Sequence, residues 1–233
     1  MRIIKGGTYV PLYGDKTEKT IVSDFYLDVF PVTNHDFLIF LEQNPKWRKS
    51  EVKRLFADEN YLIDWQADME IGRTINALSP VTNVSWFAAK AYCECEGKRL
   101  PTMDEWEYAA MANESLIDAR KKESFNKYIL SWYETPRSYE NPIGKTMKNI
   151  WGIYDLHGLV WEWVYDFNSV IITGESRSDV DLDRNLFCAG GAVGATDLMN
   201  YAAFMRYAFR GSIRANYTVK NLGFRCAKDS GGS

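Results

Sequence analysis

The chain has 233 residues, with 28 basic and 31 acidic side chains for a net charge of −3, and 15% aromatics including eight Trp. A nucleic-acid partner would require a clustered basic face, which this balance does not offer; the "RKKE" run at Arg120 to Glu123 reads as a solvated surface segment. No apolar run reaches the ~18 residues of a membrane span, and a chain of this size buries roughly 70% of its unfolded surface without needing covalent staples.

In chain order, "GGTYVPLYG" (Gly6 to Gly14) and "FYLDVFPVT" (Phe25 to Thr33) read as short strands rich in aromatics and Val. Thr33 suits an N-cap, and Asn34 to Glu42 carries an apolar stripe at Phe37, Leu38 and Leu41. "WRKSEVKRLFADEN" is partly helical in pattern, and "DWQAD" suits an ordered loop. The clearest helix begins near Val84 or Ser85, sets Trp86, Ala89, Tyr92 and Cys93 on one side, and stops at Gly97. Thr102 and Glu105 have the spacing of a capping box, opening a second helix with Trp106, Ala109 and Ala110 turned inward. Beyond residue 125, "NIWGIYDLHGLVWEWVYDF" mixes glycines with aromatics at strand-like spacing. "YAAFMRYAF" reads as core packing anchored by Phe204 and Phe209. No repeat or flexible linker divides the chain, so the expected organisation is one α+β domain over residues 1–229, with 230–233 as a flexible or engineered tail.

Four cysteines, at 93, 95, 188 and 226, do not make a disulfide scaffold in a chain this long. Cys93 and Cys95 are two residues apart on a helix and point in different directions, which favours structural use over a soft-metal site. His35 and His157 are the only histidines, too few for a multi-histidine metal site. The start "MRIIKGGTYV" lacks the apolar region of a signal peptide, leaving either a cytosolic chain or one that begins after a removed signal.

Five stretches, "FPVTNHDF", "PVTNVSWFAAKAYCECEGKRLPTMDEWEYAA", "GIYDLHGLVWEW", "AGGAV" and "NLGFRC", together resemble the formylglycine-generating-enzyme (sulfatase-modifying factor) family, over about residues 5 to 227. The resemblance implies a modified C-type-lectin-like fold: a small antiparallel sheet, two main helices and much ordered loop. Enzymes of that family carry two cysteines after the paired glycines, which hold Cu(I) and use O2 to convert a substrate cysteine into formylglycine. Aligning the glycines puts those positions at Ala195 and Asn200, which offer no thiolate, so neither copper binding there nor that oxidation is expected. Cys188 precedes the glycines, and Ala189 stands where the family usually has Arg. The stretch from Gly190 to Cys226, with "DWQAD" upstream, more narrowly resembles accessory proteins of copper-containing nitrite reductases.

The family's structural Ca2+ site carries over by position to Asp155, the carbonyls of Gly158 and Val160, and Glu162, hard oxygen donors that suit this ion. The alternative is a plain turn whose acids face water or pair with an Arg. Cys93 and Cys226 occupy positions that form a disulfide in secreted relatives, worth roughly 4 kcal/mol if unstrained; in a reducing compartment they would be buried thiols. Asp197, Tyr201, Arg206, Arg210 and Arg214 crowd the former active-site region, joined by Arg225, Tyr207 and Tyr217. They form either a groove for a peptide or anion, since Arg gives planar bidentate donors, or internal ion pairs with Asp166, Asp197 or Glu162.

The leading expectation is a non-catalytic maturation or assembly factor that holds a protein partner, such as a copper nitrite reductase or its maturation machinery, in the old substrate groove. It would work in the periplasm or another extracytoplasmic space, with the cytoplasm as the alternative. The rivals are an enzyme of another activity using Asp197, Tyr201 and Arg206, and a lectin-like module binding ligand through Ca2+.

Overall fold

The computed structural model describes residues 1–11, 19–168 and 198–231. Strand β1 (Arg2–Ile4) pairs antiparallel with β4 (Phe25–Leu27), and β4 pairs antiparallel with β7 (Ala227–Asp229), so the two ends of the chain meet in one three-stranded sheet. Along β4 the strand period sends Phe25 and Leu27 inward and leaves Tyr26 exposed. Strands β2 (Gly7–Tyr9) and β3 (Thr20–Val22) form a separate antiparallel pair. Strands β5 (Trp161–Trp163) and β6 (Leu222–Phe224) lie parallel, with Glu162 opposite Gly223. The sheet is thus three small pieces, one of them parallel.

Helix α1 (Asn34–Gln43) starts at a full capping box in which Thr33 and Asp36 satisfy each other's backbone amides. Helix α2 (Trp86–Cys95) is capped by Ser85, whose hydroxyl accepts from the Ala88 amide. It ends at Gly97, whose φ of +64° lets the Lys98 amide turn back to the Cys93 carbonyl. Helix α3 (Met103–Ala110) opens on the Thr102–Glu105 capping box. Two more helices were not foreseen as helices: α4 (Glu123–Tyr133), and α5 (Leu198–Ser212) within the stretch read as core packing. The α4 stripe is short, with Phe125, Asn126 and Ile129 buried, and its first turn falls in the charged run read as surface. The expected helical character of residues 47–60 resolves instead into turns after a 3-10 turn at Pro45–Trp47. Of the strand expected over Phe25 to Thr33, only β4 forms, because the chain then leaves the sheet to run beside residues 224–226, through Asp28 N–H to Cys226 O and Val32 N–H to Phe224 O.

An aromatic core joins these pieces. The Phe37 ring of α1 stacks on Tyr92 of α2 at 6.0 Å and meets Phe224 of β6 edge-on at 6.2 Å, while Tyr92 meets Phe224 at 5.3 Å. Next to Tyr92 on α2, Cys93 is disulfide-bonded to Cys226, with Cα atoms 5.6 Å apart and a sequence separation of 133. The bond and the ring cluster tie α2 to the end of the chain, as the family resemblance implied.

Reduction removes a loop-closing constraint from the unfolded chain. Peptide mapping after alkylation without reduction is expected to give a Cys93–Cys226 cross-link with Cys95 alkylated. Reduction should lower Tm by about 10 °C, the equivalent of a few kcal/mol in a chain of this size.

Candidate functional site

Helix α3 carries the centre of the site. Its buried stripe is Met103, Trp106, Glu107 and Ala110, and the 3.6-residue period puts all of them on one face. Trp106 Nε1–H donates to Glu162 Oε2 at 2.7 Å. Glu162 also takes a fork from Arg225, with Nε at 2.8 Å and 3.0 Å and Nη2 at 2.8 Å, and both side chains are wholly inaccessible. The Arg225 guanidinium continues to the carbonyls of Asp28 (3.2 Å) and Tyr154 (2.9 Å). The pairing of Arg225 with Glu162 is one of the internal ion pairs weighed from sequence.

Glu107 forms the second ion cluster. Arg206 of α5 clamps it through Nε (3.0 Å) and Nη2 (2.7 Å), and Arg210, one turn on, adds Nη1 at 2.8 Å. Burial alone would raise the Glu107 carboxyl, but the two guanidiniums outweigh it and hold it at about 2. Both also lie over the Trp106 ring, at 5.6 Å and 4.9 Å from its centroid. The expectation that Arg206 and Arg210 present exposed guanidiniums to a partner is therefore corrected, although both still line the neighbouring pocket. At 3% and 4% exposure they are core ion-pair members, because a helix face packed on α3 can carry charge only where a counter-charge meets it. Glu107 was missed in the sequence. The available signal was an acid occupying a stripe position between Trp106 and Ala110.

Above this cluster lies a pocket of about 570 Å³. Trp106, His157, Glu162, Arg206 and Arg210 line it, together with Trp132 and Tyr133 from α4, Arg137 and Tyr139 beyond α4, and Leu156 to Trp161 from the glycine turn. Tyr133, Trp161 and Phe209 stack in series at 5.2 Å and 5.1 Å, joining α4, β5 and α5 into one wall. Gly158 is required here. Its φ is +136°, and a Cβ would fall 2.6 Å from Thr146 Cγ2 and 2.9 Å from the Trp132 ring. His157 is buried, with Nε2 2.8 Å from the Ala110 carbonyl, so that nitrogen carries the proton. Burial and the nearby Arg206 pull its pKa down to about 4, leaving the ring neutral at ordinary pH.

The two carboxylates assigned to Ca2+ by resemblance already have protein partners in this geometry. Asp155, at φ +61°, accepts from the amides of Gly144 (2.5 Å) and Thr146 (3.0 Å), which use both of its oxygens to shape the preceding loop. Both oxygens of Glu162 serve Arg225 and Trp106. A cation beside Glu162 would have to compete with a guanidinium that has no access to water. Among the described residues no group of three or more His, Cys, Asp or Glu side chains converges as a metal site.

Arg214 is exposed, lies over the Tyr217 ring at 5.8 Å, and is not part of the pocket. Asp197, Ala195 and Cys188 lie outside the described residues, as do the side chains of Asn200, Tyr201 and Phe204 on α5.

Glu107→Gln is expected to cost about 3–5 kcal/mol in denaturant unfolding, because it leaves two buried guanidiniums without their anion. Acid should destabilise the protein in two stages. The unfolded chain takes a proton on His157 below its ordinary pKa of 6.5, but the folded chain refuses it until about pH 4, so stability falls as pH drops through that window. Glu107, ordinarily 4.5 and held at about 2, adds a further loss below pH 4.5 as its ion pairs are protonated away. Thermal melts should show Tm dropping by about 10 °C from pH 7 to 4, with His157→Gln flattening that part of the curve. A chelator is expected to leave the wild-type Tm unchanged, whereas Glu162→Ala should lower it strongly whether or not calcium is added.

Comparison with known proteins agrees with the fold. The chain is 28% identical over 245 residues to "Serine/threonine-protein kinase pkn1" of Chlamydia pneumoniae, a match that covers 98% of this chain but only 38% of that protein's length. It is 29% identical over 248 residues to "Inactive C-alpha-formylglycine-generating enzyme 2" of Bos taurus, covering 90% of this chain and 79% of the relative. The solved structure of PvdO from Pseudomonas aeruginosa superposes with a TM-score of 0.51 at 16% identity, covering 97% of this chain and 93% of that one, and so supports a shared fold. The sulfatase-modifying factor enzyme 1-like domain pattern matches residues 1–230. With the capped helices, the "DLHGLVWEW" turn and the terminal "GFRC" strand all in place, the chain belongs to the sulfatase-modifying factor enzyme 1-like family.

Proposed function

We propose that this chain is a non-catalytic binding member of its family, an accessory or assembly factor for a copper nitrite reductase that holds its protein partner at the aromatic pocket between α4 and α5. The observation carrying this reading is the pocket itself. Its mouth has aromatic rings and the exposed Arg137, while the charged groups at and beneath its floor are paired, Glu162 with Arg225 and Trp106, and Glu107 with Arg206 and Arg210. Ala195 and Asn200, at the positions of the catalytic thiols, support the absence of formylglycine chemistry. The bovine relative is likewise named inactive. The Cys93–Cys226 bond favours an oxidising compartment, in keeping with a periplasmic location. The rival enzyme reading relies on Arg206, whose Nε and Nη2 already serve Glu107, and the lectin-like reading relies on Asp155 and Glu162, which are engaged by backbone amides, Arg225 and Trp106.

Two measurements test the proposal. Incubation with a Cys-x-Pro-x-Arg peptide, copper and oxygen should give no aldehyde mass change above a copper-only control. Titration with a purified copper nitrite reductase should show saturable binding that Arg137→Glu weakens at least about tenfold, or 1.4 kcal/mol, with Tm unchanged. Aldehyde formation, or the absence of binding, would refute it.

A further inference from the structure

The ion cluster under the pocket is unbalanced. Arg206 and Arg210 share the single carboxylate of Glu107, and Glu107 Oε1 accepts from both. The other floor acid, Glu162, is taken by Arg225 and Trp106. Among these described side chains the three guanidiniums exceed the two carboxylates by one positive charge, with Asp166 a further acid within electrostatic reach of Arg210. Arg206 is also unsatisfied at one atom. Its Nε and Nη2 are bonded to Glu107, while Nη1 is buried and has no hydrogen-bond partner among the described residues. The Tyr133 phenol lies close enough to this guanidinium to interact with it, while its hydroxyl donates to the Ala202 carbonyl at a long 3.4 Å. A buried cationic donor left open on a pocket wall is a place where a ligand acceptor is stabilised, since the bond is charge-assisted and water does not compete for it.

We propose that the pocket is a receptor for a carboxylate carried on an aromatic or apolar body, with Arg206 Nη1 as the donor to the carboxylate. The assignment rests on the binding reading of this same pocket and specifies what it recognises. A singly charged carboxylate cancels the one excess charge, whereas a phosphate dianion would overshoot it. Guanidinium and carboxylate are both planar, and the Tyr133 and Trp161 rings offer flat faces to the remainder of the ligand. The cavity of about 570 Å³ accepts a molecule of that size. Two sources share this chemistry: a free aromatic acid, and the terminal carboxylate of a partner's chain.

The test uses the full chain and the fluorescence of the pocket tryptophans, with Tm as a second readout. Phenylacetate should give a saturable change and raise Tm. Phenylacetamide, nearly the same shape without the charge, should bind at least about tenfold more weakly, as the loss of a charge-assisted bond requires. Arg206→Lys, which keeps the charge but loses the fork, should remove the preference for acid over amide. If that variant does not fold, the wild-type comparison of acid with amide decides alone. Equal binding of the two, or no binding of either, overturns the proposal, and so does inorganic phosphate binding more tightly than phenylacetate. N-acetylphenylalanine binding more tightly than phenylacetate supports a peptide terminus as the natural source; the reverse order supports a free acid. Nitrite reductase binding without acid selectivity would overturn this inference and leave the partner reading standing. Acid selectivity without reductase binding would do the opposite.

Discussion

The buried pair of Arg225 and Glu162 is the constraint on which the other elements depend. Neither side chain reaches water, and between them they contact β5, β6, the start of α3 through Trp106, the segment after β4, and the loop at Tyr154. A charge pair of this kind does not have to stabilise the fold in net terms, because desolvation offsets much of the attraction. It does penalise every alternative arrangement. Any register in which β5 slips against β6, or α3 rotates, leaves an uncompensated charge in the core. The family signature residues of "WEW" and "GFRC" are thus explained by one interaction.

Trp106 and Glu107 carry that constraint outward to the pocket. The tryptophan is bonded to Glu162 on one side and covered by Arg206 and Arg210 on the other, while its neighbour binds both arginines. Helix α5 is held to α3 by charge, and to β5 by the stacking of Phe209 on Trp161. The pocket floor is therefore preorganised, while its rim on and beyond α4 is more exposed. Such a division suits recognition, because groups fixed before binding lose little entropy when the ligand arrives.

The sequence made much of the frame legible. Capping boxes at Thr33 and Thr102 are local hydrogen-bond chemistry, so their spacing alone placed the starts of α1 and α3. Helix α2 was readable from Ser85 and Gly97 for the same reason. Helix α4 was not, because its buried stripe is only Phe125, Asn126 and Ile129 and most of its surface is charged or aromatic. The parallel pairing of β5 with β6 was not visible either, since strands so far apart in the chain carry no local sign of their partner.

Within the site the division is sharper. Sequence by itself determined the family frame, the turn at Gly158 and the lack of thiols at positions 195 and 200, since each depends on residue identity and near-neighbour geometry. Only the tertiary structure decided which charges face each other. Arg206 and Arg210 looked like a surface for a partner because an arginine's type does not reveal its counter-ion. Glu107, 99 residues before Arg206, is that counter-ion. A long-range ion pair depends on which faces the fold buries against each other. That outcome is set by desolvation across the whole core, and no local window of sequence contains it.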